Sequence, residues 1–133
     1  MTTSEDETPR RRDWVATPLA YALAWGLPSL ALIAAAFAPA GVRTAVWAAA
    51  LVWMGLACLA NARRCGRVHC RYTGPFFLAS ALAVGLYGTG VLPLGARGWW
   101  WLGAVVALGG GGLWAVSEGL GGRYRRDRRP REP

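Results

Sequence analysis

Apolar and polar positions along this chain alternate in long blocks rather than at the 3.6-residue period of a helix lying on a soluble core. Four apolar stretches, 19–38, 44–62, 76–94 and 99–117, each run to 19 or 20 residues, and none contains a charge. At about 1.5 Å of rise per residue, each matches a hydrocarbon core of about 30 Å. A soluble helical bundle would keep a polar face on every helix, and these stretches are apolar all round. Between them lie turn-forming residues at 39–41 and 95–98 and a polar run at 61–75. The pattern predicts an all-α integral membrane protein with four transmembrane helices in a compact antiparallel bundle. A disordered cytoplasmic segment, 1–17, precedes the membrane domain, 18–120, and an Arg-rich cytoplasmic tail, 121–133, follows it.

A cleaved leader is the competing reading of the first stretch. Ala36, Phe37 and Ala38 imitate a cleavage site, and Arg10, Arg11 and Arg12 faintly imitate a twin-arginine signal. The apolar stretch is too long for an ordinary leader and Pro39 would follow the cut, so it reads as a retained first span.

Charge fixes the expected orientation. All fifteen basic residues are Arg. Arg10, Arg11 and Arg12 precede the first span; Arg63, Arg64, Arg67 and Arg71 lie between the second and third; six more follow the fourth, and only Arg43 and Arg97 fall on the other side. The positive-inside rule then puts both termini and the central run in the cytoplasm, the topology of a multi-pass inner-membrane protein. The same rule makes Arg63, Arg64, Arg67 and Arg71 topology and lipid-contact residues. A net charge of +8 would suit a nucleic-acid binder, but Arg at a cytoplasmic membrane end contacts anionic lipid, so no nucleic-acid partner is expected. Trp14, Trp47, Trp99, Trp100 and Trp101 sit at span ends, where indole rings anchor at the headgroup level.

Packing is partly legible too. Ala81, Gly85 and Thr89 recur every four residues, and Gly109 to Gly112 form a run; small residues let membrane helices approach closely, and the glycine run is expected to loosen the fourth span. Pro28 and Pro93 are expected to kink the first and third spans, with Pro28 a candidate gating position.

Candidate chemistry concentrates in the polar run. It holds the only His and two of the three Cys. Cys65, His69 and Cys70 form a soft ligand set suited to Hg(II), Cu(I) or Zn(II). If the second helix continues past residue 62, Cys58, Asn61, Cys65 and His69 fall at steps of three or four on one face; Gly66 is the position at which that helix would stop. Nearby Arg would favour the thiolate, and a reducing cytoplasm would keep the thiols free. Glu118, at the cytoplasmic end of the fourth span, is either an ion-pair partner of the loop Arg or the carboxylate that fixes the tautomer of His69.

The string N-A-R-R-C-G-R-V-H-C-R-Y-T-G-P at 61–75 resembles a signature of small prokaryotic four-helix membrane proteins of unassigned function. In architecture the chain is also similar to mercuric-ion transport proteins, which carry cysteine pairs in a membrane helix and a cytoplasmic loop. It lacks their vicinal Cys-Cys pair in the first span, so no residue carries over.

Enzyme classes find little support. A quinone-linked disulfide oxidoreductase needs an exchange pair of cysteines facing outside, a bis-histidine haem protein needs several membrane histidines, and a proton-coupled exporter needs an intramembrane carboxylate. The expectation is a non-enzymatic membrane protein handling soft metal ions through Cys65, His69, Cys70 and Cys58, with Asn61 and Glu118 in support and a cytoplasmic thiol protein as acceptor. A homo-oligomer is compatible with so small a bundle. Two alternatives stand beside it: an adaptor whose Arg-rich loop binds anionic lipid or an acidic partner, and a thiol redox sensor.

Overall fold

A computed structural model describes residues 13–122. The expectations placed on 1–12 and on the Arg-rich tail from 123 onward lie outside the described residues. Four long helices carry the described chain: α1, Pro18–Ala35, α2, Ala40–Cys65, α3, Val68–Gly88, and α4, Gly98–Gly121. A short 3-10 turn, Trp14–Ala16, precedes them. The protein is all-helical over these residues, and α1, α2 and α4 are each long and apolar enough to cross a membrane. Helix α3 shares its first two turns with the polar run and is apolar from Pro75 onward.

Helix boundaries follow local chemistry. Pro18 opens α1 at a position where a missing N–H costs nothing. Pro28 lacks the N–H that would bond the carbonyl of Ala24, and the chain accommodates this with a wider π turn at Ala22–Gly26 just before it, in which Leu27 N–H bonds the carbonyl of Ala22. Helix α2 runs three residues beyond the sequence expectation and ends where Gly66 adopts φ 69°, a left-handed conformation that glycine takes without a Cβ clash. Only Gly66 and Arg67 separate it from α3. The polar run is therefore not a loop: both halves are helical, because neither His69, Cys70 nor Pro75 at the second turn prevents α3 from starting at Val68.

Three further expectations are corrected. Helix α3 ends at Gly88, so Pro93 lies in the following turn and kinks nothing. The glycine run at 109–112 leaves α4 continuous; the Phe76 ring occupies the space a Cβ on Gly109 would need, and the Phe77 ring lies 3.2 Å from a Cβ on Gly110. Residues 13–17, expected to be disordered, are ordered against the helices, with Trp14 and Val15 packed on the apolar core.

Successive helices run in opposite directions and pack in sequence order. Trp53 Nε1–H donates to the Leu23 carbonyl and Trp47 Nε1–H to the Leu32 carbonyl, tying α2 to α1. The closest approach is between α2 and α3. A Cβ on Gly74 would lie 2.7 Å from Leu59 Cγ and 3.2 Å from the Gly55 carbonyl oxygen, and one on Gly55 would lie 3.0 Å from the Gly74 oxygen. This crossing of two bare backbones brings the next turns of α2 and α3, those of Cys58 and Cys70, side by side. At the opposite end Arg43 stacks on Trp99, 5.0 Å from its ring centre.

Candidate functional site

At the end of the molecule where the 3-10 turn, the α2–α3 junction and the C-terminal end of α4 meet, polar side chains are buried together. Asp13, Asn61, Arg67, His69 and Thr73 are all buried, as are Cys58, Cys65 and Cys70. Buried charges persist only when paired, and here they form a chain. Arg67 Nη1 pairs with Asp13 Oδ2, Arg67 Nε lies 2.8 Å from Glu118 Oε1, and that oxygen is 2.7 Å from His69 Nδ1. One guanidinium thus spans two carboxylates from opposite ends of the chain, a task suited to its forked donors.

The imidazole tautomer follows from its neighbours. A carboxylate oxygen only accepts, so Nδ1 at 2.7 Å carries the proton. Arg67 Nε, 3.2 Å from the same nitrogen, then directs its hydrogen to Glu118 rather than to the ring. His69 Nε2 is left facing Cys70 Sγ at 3.4 Å. The sequence placed Glu118 either against the loop Arg or against His69, and it touches both.

Around the sulfurs the donors come from three elements. Trp25 Nε1–H of α1 donates to Cys58 Sγ (3.2 Å), Thr73 Oγ1 of α3 lies 3.5 Å from the same sulfur, and Asn61 Nδ2 of α2 lies 3.5 Å from Cys70 Sγ. Cys58 and Cys70, from facing turns of α2 and α3, are both buried in the apolar core beneath these donors. Asn61 is shared further: its Nδ2 donates to Asp13 Oδ1 (2.9 Å) and its Oδ1 accepts from the Trp14 backbone N–H (2.9 Å). All three cysteines are free thiols.

Electrostatics at the rim are set by the ion pairs. Burial works against ionising Asp13, but hydrogen bonds from Asn61, Arg67 and the Val15 backbone outweigh it and hold the carboxyl below the ordinary range. Burial likewise works against the charge on Arg67, and the bonds and attraction of Asp13 and Glu118 overcome it and raise its value.

The structure redistributes the residues singled out by sequence. Cys58, Asn61, His69, Cys70 and Glu118 come together. Cys65 shares the inner face of α2 but turns its thiol to the Asn61 carbonyl (3.1 Å). Helix α2 stops at Gly66, so His69 and Cys70 reach the site from the antiparallel α3 rather than along a continued α2. Arg63, Arg64 and Arg71 lie on the surface, with Arg64 over Trp14, whereas Arg67 is interior. The thiols are accordingly set by hydrogen-bond donors, not by a ring of arginines. Pro28 is buried below this cluster and takes no part in it.

Three members escaped the sequence reading. Asp13 was legible as the acid nearest the first span, and Thr73 as a hydroxyl within the polar run; Trp25, one indole in an apolar span, carried no signal. Among the described residues, no three His, Cys, Asp or Glu side chains are gathered to hold a metal ion. The donors that do converge are two sulfurs. No protein-family model, curated protein or solved structure matches the chain.

Proposed function

We propose that this is a four-span inner-membrane protein, with both termini and the α2–α3 junction in the cytoplasm, that captures a soft thiophilic ion as substrate between Cys58 and Cys70. The observation that carries the reading is the burial of these two thiols, from facing helices, inside a shell of N–H and O–H groups. The thiolate is the metal-binding form, and a soft ion displaces the thiol protons as it binds. Two thiolates suit an ion that accepts two-fold coordination, such as Hg(II) or Cu(I), whereas a structural Zn(II) site takes four ligands. A divalent ion with two thiolates is also electrically neutral, which reduces the cost of holding it away from water. The positive-inside distribution of Arg supports the orientation, and the apolar half of α3 supports counting it as the fourth span.

Purified protein exposed in turn to Hg(II), Cu(I) and Zn(II) is expected to retain one equivalent of Hg(II) or Cu(I) and little Zn(II). A Cys58→Ser, Cys70→Ser double variant is expected to retain none, and Cys65→Ser to behave as wild type. Equal retention by the double variant would contradict the reading.

The burial of the two free thiols on facing helices also favours a redox reading, in which they close to a disulfide with loss of two electrons and two protons to an added oxidant. It predicts a reversible α2–α3 cross-link under mild oxidant with no metal present, detected as loss of both free thiols.

A further inference from the structure

We propose that residues 13–17 form a latch that governs access to Cys70 from the Asp13 end of the protein. The inference concerns the approach to the thiol and holds whatever the thiol binds.

Asp13 is fully buried although it lies before the first helix, at the edge of the described chain. Two of the contacts that hold it there lead to the site. Its Oδ1 accepts from Asn61 Nδ2 and its Oδ2 pairs with Arg67. The next residue donates its backbone N–H to Asn61 Oδ1 and lays its indole under Arg64, 5.0 Å from the ring centre. Asn61 is in turn 3.5 Å from Cys70 Sγ, so the segment rests directly on the side chain that covers the sulfur. Cys70 itself has no exposed surface.

The latch is held differently from the helices beneath it. The 3-10 turn has three residues and none of them is fully buried. Its attachment combines polar contacts to Asn61 and Arg67 with the packing of Trp14 and Val15 on the apolar core. A three-residue turn ahead of the long helices, with none of its own residues fully buried, belongs to the low-stability end of a structure, where local opening precedes global unfolding. The surface beside it is already open. A cleft of about 350 Å³ is lined by Ala62, Gly66, Arg67, Val68, Arg71 and Tyr72, and Arg67 alone belongs both to this cleft and to the ion-pair chain. Release of Asp13 would break its pair with Arg67 and uncover Asn61, opening a path from the cleft toward His69 and Cys70.

The test measures alkylation of each cysteine by N-ethylmaleimide in membranes, resolved by peptide mass spectrometry. Asp13→Ala is expected to speed modification of Cys70 at least tenfold, with a smaller gain at Cys58, and Asp13→Glu to remain near the wild-type rate. An unchanged Cys70 rate in Asp13→Ala would overturn the proposal. So would parallel acceleration of Cys58 and Cys70, which reports general loosening. Hydrogen exchange on the wild type is independent of any variant: the amides of Trp14 and Val15 are expected to exchange at least a hundredfold faster than those in the middle of α2 and α3. Equal protection of the turn and the helices would overturn the latch.

Discussion

Arg67 and Asp13 show how much of the polar end depends on single side chains. Removing one partner of a buried ion pair typically costs about 3–5 kcal/mol, because the other charge stays behind unpaired, and Arg67 has two carboxylates depending on it. Its position in an Arg-rich run made it look like an orientation signal equivalent to Arg63, Arg64 and Arg71. Charge counting treats these residues alike; only the end of α2 at Gly66 turns Arg67 inward while the others face out. The sign of the Asp13 effect is fixed by its depressed value. The stabilisation is fully present above the unfolded carboxyl value, about 3.9, and is lost as pH falls through the lower folded value. Asn61, Arg67 and the Cys65 thiol are among the groups that face it, with the His69 ring farther along the same cluster. Thermal unfolding in detergent should therefore give Asp13→Asn a lower midpoint than wild type at pH 7, with the gap narrowing below about pH 4. A gap independent of pH would show that the Asp13 charge contributes nothing.

At the scale of elements, the thiol pair exists because α2 and α3 touch backbone to backbone. The sequence shows why helices can approach closely but not which will: Ala81, Gly85 and Thr89 have the spacing of a packing stripe, yet a Cβ on Gly85 would meet nothing within 4 Å. The contact is made instead by Gly55 and Gly74, single glycines with no repeat to mark them. Gly74→Ala should force the helices apart or displace Leu59, at about 1–3 kcal/mol for overpacking, and should weaken soft-ion retention as Cys58 and Cys70 separate. Gly85→Ala should be neutral or slightly stabilising, since alanine favours the helix. Unfolding midpoints and bound-ion content of the two variants check this; equal behaviour would remove the crossing from the account. Helix ends were less legible than helix existence. The polar character of 61–75 reads as a loop by hydropathy, but its residues are compatible with helix at both ends, and one glycine suffices for the turn.

Over the described residues, the apolar blocks made an all-helical chain with helices long and apolar enough to cross a membrane legible from sequence, because only uninterrupted apolar helices satisfy both their own backbone and a hydrocarbon surrounding. The site was legible in part. Rarity of type pointed to Cys58, His69 and Cys70, and position pointed to Asn61 and Glu118. What hydropathy could not supply was the folding back of residues 13–17 and the choice of Cys58 rather than Cys65 as the neighbour of Cys70, since both depend on contacts between segments far apart in the chain. The central claim is that Cys58 and Cys70 together hold a soft ion. X-ray absorption at the metal edge of protein loaded with one equivalent of Hg(II) tests it most directly. The account predicts a shell of two sulfur atoms that disappears in the Cys58→Ser, Cys70→Ser double variant; a shell of nitrogen and oxygen, or a sulfur shell unchanged in that variant, would contradict it.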